Sequence, residues 1–170
     1  MQQPLVQQGL EHLQEREVLI NALLYLTHPS QYTAAKAARE RTLSTVQDPR
    51  VHRYLQTSWP SLFSGMSWMI NRVTPSHRDK NGSKMGYDYL TTMGDAKAWL
   101  DLPSLGLQVE YNRGSVVALA GRLMTHAVGN WNGGDRVCCA HWVREAVFED
   151  LKVPNIELPN LDEVIEPFIR

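Results

Sequence analysis

The spacing of apolar residues changes near residue 60, where a helical pattern gives way to a strand pattern. Leucines recur three or four residues apart in the first part of the chain, which predicts a helix from Gln8 to Leu26. Thr33 is a suitable N-cap for a second, alanine-rich helix from Ala34 to Leu43. Asp48-Pro49 then provides an N-cap and a first helical residue for a short third helix. These elements predict a helical support over residues 1–60.

After residue 60 the apolar positions predict short strands separated by turns. The predicted strands are Trp68–Val73, Tyr87–Met93, Trp99–Leu102, Leu105–Tyr111, Ser115–Leu119, Arg122–Ala127 and Arg136–Val143. About seven short strands within roughly eighty residues are typical of a sandwich or jelly roll. We therefore predict one domain over residues 1–170 with an α+β fold, whose β core covers residues 66–150. The tail over residues 152–170 is rich in Pro, Asn and acidic residues, and is predicted to wrap the domain or to form a short helix from Leu161 to Ile165.

Composition and charge narrow the classes of protein that the chain can be. The 170 residues carry 17 Lys and Arg against 18 Asp and Glu, a formal charge of -1, which argues against a purely electrostatic nucleic-acid binder. No apolar stretch reaches the ~18 residues of a membrane span, and the N-terminus lacks the apolar region of a signal peptide. An intracellular protein is therefore expected. Six His accompany only the adjacent Cys138 and Cys139, so a metal centre would need His and carboxylate ligands.

A candidate metal site lies in the strand-rich part, around the sequence His77-Arg78-Asp79. An imidazole and a carboxylate placed this way at a strand end can chelate one ion. His126 on a later strand would complete two His and one carboxylate, the facial arrangement that leaves positions open for a co-substrate and O₂ on Fe(II). The HxD pattern is weak by itself, because Asp79 could also cap a polar turn and His126 could also be a core histidine.

A candidate anion-binding residue follows at the start of the last predicted strand. Arg136 comes directly after a Gly-Gly-Asp loop, and its planar guanidinium can bind one end of a dicarboxylate. Strand alternation places it on one face with Cys138, Ala140 and Trp142. An arginine that shares a face with these residues is expected to point into the barrel, where it needs an anionic partner. His141 falls on the other face and is interpreted as structural.

A second arginine and a basic loop lie near the predicted metal site. Arg72 shares a predicted strand face with Trp68 and Ile70, and it could contact the co-substrate or form a salt bridge. The loop that follows His77 is basic and could be a solvated turn or a phosphate contact at the mouth of the site. Its basic residues are Arg78, Lys80 and Lys84.

These motifs follow one another in an order that resembles a known family. The HxD motif is followed by LPSLGL over Leu102–Leu107, by NRGSVVALAGRLMTH over Asn112–His126 and by GDRVCCAHW over Gly134–Trp142. In this order they resemble the fungal TET/JBP-like 2-oxoglutarate and Fe(II)-dependent dioxygenases over about residues 66–150. The four-part order is more specific than any single motif.

The resemblance implies a double-stranded β-helix that binds Fe(II), 2-oxoglutarate and O₂. Carried over residue by residue, it makes His77, Asp79 and His126 the iron ligands. Arg136 would bind the distal carboxylate of 2-oxoglutarate, and Arg72 would help to hold its other end. The implied reaction converts 2-oxoglutarate to succinate and CO₂ and hydroxylates a substrate C–H bond. In the TET branch that bond belongs to the methyl group of 5-methylcytosine in DNA, on a base flipped out of the duplex.

Two positions depart from the TET pattern of base recognition. The polar residue expected three positions after Asp79 is Gly82, with Asn81 one residue early, and the His expected eight positions after Arg136 is Arg144. Three functions therefore stay open. The first is oxidation of 5-methylcytosine, with DNA as partner and the nucleus as location. The second is the same chemistry on RNA, a protein side chain or a small molecule, and the third is a non-catalytic relative that keeps the fold.

Overall fold

A computed structural model describes residues 3–160, 162, 164 and 165 of the chain. It contains two compact units. The helical unit comprises the described residues up to Leu62 and those from Ala146 onward, and the β unit comprises Phe63–Glu145. The division of residues 1–170 into one domain with a helical support, a β core and a tail stays a prediction.

Three helices form the first part of the helical unit, in the order that the sequence predicts. They are α1 (Gln3–Thr27), α2 (Pro29–Thr45) and α3 (Pro49–Thr57). The α1 residues Ile20 and Leu24 and the α2 residues Ala34 and Ala35 are all buried, as expected for two packed helices with one apolar face each. The side chain of Asp48 accepts a hydrogen bond from the main-chain N–H of Arg50 at 2.8 Å, which confirms the predicted cap of α3.

The predicted cap of α2 is wrong. The helix begins at Pro29 rather than after Thr33, and the buried His28 is its N-cap. His28 Nδ1 accepts a hydrogen bond from the N–H of Gln31 at 3.4 Å. Proline at the first helical position lacks the N–H that would be unpaired there and has its φ preset for a helix. A His-Pro pair therefore begins α2 directly after α1 ends at Thr27.

Ten strands and one short helical turn form the β unit. The strands are β1 (Gly65–Ile70), β2 (Thr74–His77), β3 (Asp88–Thr92), β4 (Ala96–Lys97), β5 (Trp99–Leu102), β6 (Leu107–Glu110), β7 (Val116–Leu119), β8 (His126–Val128), β9 (Asn132–Gly133) and β10 (Val137–Trp142). A 3₁₀ turn covers Pro103–Leu105. One sheet has the order β1-β10-β3-β7, a second has the order β2-β8-β5-β6, and β4 pairs with β9. All of these described pairs are antiparallel.

The core of the β unit lies between its two larger sheets. Leu90 and Cys138 come from the first sheet, and Leu100 and Val128 come from the second. Tyr111, directly after β6, is buried in the same cluster. Two antiparallel four-stranded sheets that share one core form a jelly roll, as predicted. The fold is α+β with a double-stranded β-helix core.

The structure corrects the predicted path of the chain before the HxD motif. The strand predicted over Trp68–Val73 ends at Ile70, because Asn71 adopts the left-handed region with φ 50°. The chain then forms β2, which contains Pro75. Strand β2 is at the edge of its sheet, where a residue without an N–H is tolerated.

A second correction concerns the strand predicted over Arg122–Ala127. Residues 121–124 form a turn in which the N–H groups of Leu123 and Met124 donate to Ala120 O, both at 2.9 Å. Strand β8 then begins only at His126. These local hydrogen bonds leave the apolar side chains before His126 outside the ladder, so their strand-like sequence does not form a strand.

After β10 the chain returns to helical structure in α4 (Glu145–Asp150). Of the helix predicted from Leu161 to Ile165, residues 162, 164 and 165 are helical, and residues 161 and 163 lie outside the described part. Within the described ranges, no helix has both the length and the apolar character needed to cross a bilayer.

Candidate active site

His77 and His126 are brought together by strand pairing. His77 is the last residue of β2 and His126 the first of β8, and the two residues face each other in the antiparallel register. Side chains opposite one another in such a pair are close neighbours. Their ring centroids lie 4.3 Å apart. The side chain of His126 is 6% exposed and that of His77 is 40% exposed, so the pair runs from the interior towards the solvent.

Asp79 supplies the carboxylate beside these two rings. Its main-chain N–H donates to Gly121 O at 3.0 Å, which ties the residue to the turn before β8. Oδ1 of Asp79 lies 3.4 Å from Nε2 of His77, and Oδ2 lies 3.7 Å from Nε2 of His126. One ligand atom from each of the three residues falls within 4.8 Å of the others. The structure therefore gathers the three predicted ligands at one point.

The chemistry of this donor set fits a divalent metal ion. Nδ1 of His77 lies 2.8 Å from Pro75 O, and Nδ1 of His126 lies 3.1 Å from Met124 O. A carbonyl oxygen can only accept, so each ring must carry its proton on Nδ1 and leave the Nε2 lone pair free towards Asp79. The distances of 3.4 and 3.7 Å from the Asp79 oxygens to the two Nε2 atoms lie within the about 4 Å that two donors can be apart when each binds one ion at ~2.0–2.2 Å. The set is two His and one carboxylate, the facial triad of non-haem Fe(II) sites.

Gly121 lies so close to the carboxylates that a side chain there would displace them. A Cβ atom at Gly121 would lie 2.5 Å from Oδ2 of Asp88 and would also clash with Oδ2 of Asp79. We therefore expect Gly121→Ala to weaken Mn²⁺ binding at least ~10-fold, since displaced ligand shells typically cost ~10–100-fold in affinity. Gly129→Ala is the matched control because no atom lies within 4 Å of the added Cβ. Titration calorimetry checks the result, and equal affinities in the two variants would contradict it.

Asp88 is a buried second carboxylate that no sequence motif singles out. It begins β3 and is 6% exposed. Burial raises the pKa of Asp88 to about 8, and the negative charge of Asp79 and a hydrogen bond to that residue act in the same direction. In the metal-free protein Asp88 is therefore protonated at neutral pH and donates to Asp79. The strand pattern of the sequence cannot predict a protonated Asp88, because its raised pKa depends on burial and on the neighbouring Asp79.

The raised pKa of Asp88 predicts a pH-dependent stability of the metal-free protein. Its ordinary pKa is 3.8, and the folded state raises it to about 8. Between these values the folded state holds a proton that the unfolded state has lost, so stability falls as pH rises towards 8. Asp88→Asn, which cannot ionise, is expected to flatten this decline. Melting temperatures from pH 5 to pH 9 in the presence of a chelator test this, and parallel curves for the two proteins would contradict it.

Arg136 is a buried cation without a carboxylate partner among the described residues. It is 3% exposed, and no ion pair found among the described residues includes it. One guanidinium nitrogen donates to Arg72 O at 2.5 Å, while its buried Nε has no hydrogen-bond partner in the described structure. A buried charge without a partner is costly. The residue therefore fits the carboxylate of a bound anion, and 2-oxoglutarate carries one at each end.

Asn71 holds the backbone of Arg136 and was not expected to have a role. Its Oδ1 accepts from the N–H of Arg136 at 2.9 Å, and its own N–H donates to Arg136 O at 2.8 Å. Its Nδ2 donates to Oδ1 of Asp135 at 2.8 Å. The residue type was the one signal in the sequence for a turn at this position, since asparagine is among the few residues that tolerate a positive φ.

Arg72 lines the cavity, but it does not lie on a strand with Trp68 and Ile70 as predicted, because β1 ends at Ile70. Trp68 lines the cavity as well, while Ile70 is exposed. The left-handed residue Asn71 interrupts the alternation.

One cavity of about 600 Å³ connects these groups, within the ~300–1,000 Å³ range of ligand pockets. The three predicted metal ligands, Asp88, Arg136 and Arg72 all line it. The residues expected on the inward face of the last strand, Cys138, Ala140 and Trp142, line it too. His141 is fully buried outside it, with Nδ1 3.3 Å from Tyr89 O, which fits the structural role predicted for it.

A jelly roll that holds two His and one carboxylate beside a buried arginine defines the class of non-haem Fe(II) oxygenases that use an anionic co-substrate. Comparison with protein families assigns the chain within that class. The model of the Tet_JBP family, described as the oxygenase domain of the 2OGFeDO superfamily, matches residues 2–145. The chain belongs to this family of 2-oxoglutarate and Fe(II)-dependent dioxygenases. The match identifies the family as a whole, and the fungal branch stays a prediction.

Comparisons with individual proteins add two structural likenesses. NgTET1, solved in complex with 5mC DNA, is similar with 14% identity and a TM-score of 0.47, over 76% of this chain and 49% of that one. A Cupin 2 conserved barrel domain protein from Salinispora arenicola CNS-205 is similar with 22% identity and a TM-score of 0.37, over 51% of this chain and 68% of that one. The chain thus spans about half the length of the NgTET1 chain. A search of curated proteins found no match.

Proposed function

We propose that this dioxygenase oxidises the methyl group of 5-methylcytosine in DNA, with Fe(II) held by His77, Asp79 and His126. The observation that carries the proposal is a set of basic side chains at the cavity that contains this triad. Arg72, Lys80 and Arg144 line the cavity and are exposed. Basic groups around a recessed reaction centre suit a substrate that brings phosphates to the mouth and a base to the interior.

Among the described lining residues, the negative charge of the cavity lies at its metal end. Among its described lining residues only Asp79 and Asp88 are acidic, and both belong to the metal end. Arg78 and Lys84 add further exposed positive charge in the loop that follows β2. A chain with a net charge of -1 therefore presents a local positive field where the substrate enters. Such a field favours an anionic polymer and weakens as salt concentration rises.

The two positions that depart from the TET pattern are neighbours in the structure. Gly82 and Arg144 form an isolated antiparallel bridge, and Asn81 lines the cavity beside them. The guanidinium of Arg144 lies over the ring of Trp142, 5.2 Å from its centroid. We infer that Asn81 and Arg144 supply the polar contacts to the base, because Gly82 has no side chain to do so.

When bound, Fe(II) and 2-oxoglutarate would supply the oxidation chemistry, in which O₂ would convert 2-oxoglutarate to succinate and CO₂ and one oxygen atom would enter the substrate C–H bond. The residues of the chain would position the metal ion and the co-substrate. Pro75 O and Met124 O fix the tautomers of the two His ligands. Arg136 would hold the far end of the co-substrate, and the apolar residues Leu90, Leu100 and Val128 line the same cavity. Apolar walls keep water from competing for the guanidinium.

The absence of a side chain at Gly82 favours a second candidate, the same oxidation on RNA, a protein side chain or a small molecule. One experiment separates the two candidates. The protein is loaded anaerobically with Fe(II) and 2-oxoglutarate and exposed to O₂ with duplex DNA or RNA that contains 5-methylcytosine. Nucleosides are then analysed by mass spectrometry. Formation of 5-hydroxymethylcytosine from DNA supports the first candidate. Succinate release without any oxidised nucleoside contradicts it.

A further inference from the structure

The loop that contains Asp79 has almost no regular structure of its own. Residues 78–87, the HxD loop, connect β2 to β3 and form one isolated bridge, at Gly82. The loop contains the metal ligand Asp79 and the cavity residue Asn81. The N–H of Gly82 donates to Asp79 O at 3.0 Å, which closes a tight turn around Asn81. A loop that must place a metal ligand and a substrate contact needs support from neighbouring elements.

Arg122 supplies such a support from the turn before β8. Its Nη1 atom donates to Gly82 O at 2.9 Å and to Oε2 of Glu145 at 2.6 Å. The side chains of Arg122 and Glu145 are 28% and 29% exposed, so this charge-assisted pair is largely shielded from solvent. In the same turn, Gly121 O accepts the N–H of Asp79. The turn therefore contacts the HxD loop at two points, the metal ligand and Gly82.

Glu145 connects this support to the end of β10. It directly follows Arg144, which forms the antiparallel bridge with Gly82. The N–H of Ser83 donates to Val143 O at 3.2 Å. The HxD loop and the residues that follow β10 therefore lie side by side, and one guanidinium group bonds to both.

We propose that Arg122 is a positioning residue, which holds the HxD loop against the end of β10 so that Asn81 and Arg144 meet the substrate together. The inference rests on the proposed function, which assigns those two side chains to the base. Arg122 is not among the described residues that line the cavity, so its guanidinium acts through the loop rather than by touching a ligand. The metal site depends on it less, because Asp79 is also held by Gly121 O.

Two measurements on Arg122→Ala test the proposal, and the first needs no substrate. Hydrogen exchange at the amides of Gly82 and Ser83 should become about tenfold faster, the usual effect of losing a hydrogen bond to a charged group. Exchange at the amide of Tyr111, which is hydrogen-bonded within the β core, should be unchanged. Mn²⁺ affinity should stay within about twofold, well below the ~10–100-fold cost of disturbed ligand support. Arg113→Ala, in an exposed turn, is the matched control.

The second measurement is the steady-state oxidation of 5-methylcytosine in duplex DNA. Arg122→Ala should raise the KM for the DNA about fivefold, within the ~2–30-fold range of effects transmitted through a contact network. The KM for 2-oxoglutarate should be unchanged. Arg122→Lys keeps a charged donor and should give an intermediate KM for the DNA. Glu145→Gln should raise that KM less, and adding it to Arg122→Ala should change nothing further, because Glu145 acts through Arg122.

The two measurements separate this role from a general effect on stability. Unchanged exchange at Gly82 and Ser83 overturns the proposal, and so does faster exchange at Tyr111 to the same degree, which would indicate a destabilised β unit. Faster exchange at the loop alone with an unchanged KM for the DNA overturns the role towards the substrate. If the unaltered protein oxidises no base in DNA, the proposed function fails, and the exchange measurement by itself decides whether Arg122 positions the loop.

Discussion

Simultaneous replacement of His77 and Asp79 by alanine is expected to abolish both metal binding and 2-oxoglutarate turnover while the fold stays intact. The two side chains are 40% and 39% exposed, so their removal leaves no buried cavity. Their donor atoms lie within 4.8 Å of that of His126, and a single remaining imidazole cannot hold a divalent ion in a facial site. Since disturbing the groups behind metal ligands already costs ~10–100-fold in affinity, loss of two ligands should exceed that range.

The stability of this double variant distinguishes a metal site from a structural cluster. Loss of Asp79 removes the acceptor of the buried Asp88 hydroxyl group as well as the charge that raises the Asp88 pKa, so the metal-free variant should melt at a slightly lower temperature at neutral pH but remain folded. Replacement of His52 and Asp150, which belong to α3 and α4, is the matched control and should leave Mn²⁺ affinity and succinate formation unchanged. Full succinate formation by the variant of His77 and Asp79 would show that the metal ligands are misassigned.

The sequence was most informative where local pattern and tertiary structure agree. The bounds of β5, Trp99–Leu102, were predicted without error, because its alternation matches its actual buried and exposed faces. The inward face of β10 was predicted correctly for the same reason, as Cys138, Ala140 and Trp142 line the cavity. The order of motifs brought His126 into the predicted site. Strand register, which places His126 opposite His77, could not be read from that order.

The sequence was least informative where a long-range contact overrides the local pattern. Asn71 was interpreted as a strand residue, yet its left-handed backbone and its bonds to Arg136 depend on a segment about sixty residues later in the chain. Asp88 becomes a protonated acid only next to Asp79. Gly121 is required only because those two carboxylates crowd it. Each of these features depends on contacts between residues that are distant in the sequence. Local sequence patterns therefore cannot predict them.

Arg136→Ala is expected to weaken 2-oxoglutarate binding by roughly 30-fold or more, the low end of the ~2–5 kcal/mol that truncating one partner of a buried charge pair costs. The reason is that Arg136 is 3% exposed and its Nε has no hydrogen-bond partner in the described structure. Its charge is therefore available to pair with the ligand. Arg136→Lys keeps the charge but loses the planar guanidinium fork. Its affinity for 2-oxoglutarate should therefore lie between that of the unaltered protein and that of Arg136→Ala. Arg113→Ala, in an exposed turn, is the matched control.

The dependence of succinate formation on 2-oxoglutarate concentration tests this role against a structural one. A binding residue should raise the KM for 2-oxoglutarate in proportion to the lost affinity, while Mn²⁺ binding at the His77, Asp79 and His126 site stays unchanged. Stability should fall little, because alanine also removes a buried charge that no described carboxylate balances. An unchanged KM for 2-oxoglutarate in Arg136→Ala would show that Arg136 does not bind the co-substrate. A large fall in melting temperature with normal affinity for 2-oxoglutarate would instead make Arg136 a support for the segment that contains Arg72, whose carbonyl oxygen it contacts at 2.5 Å.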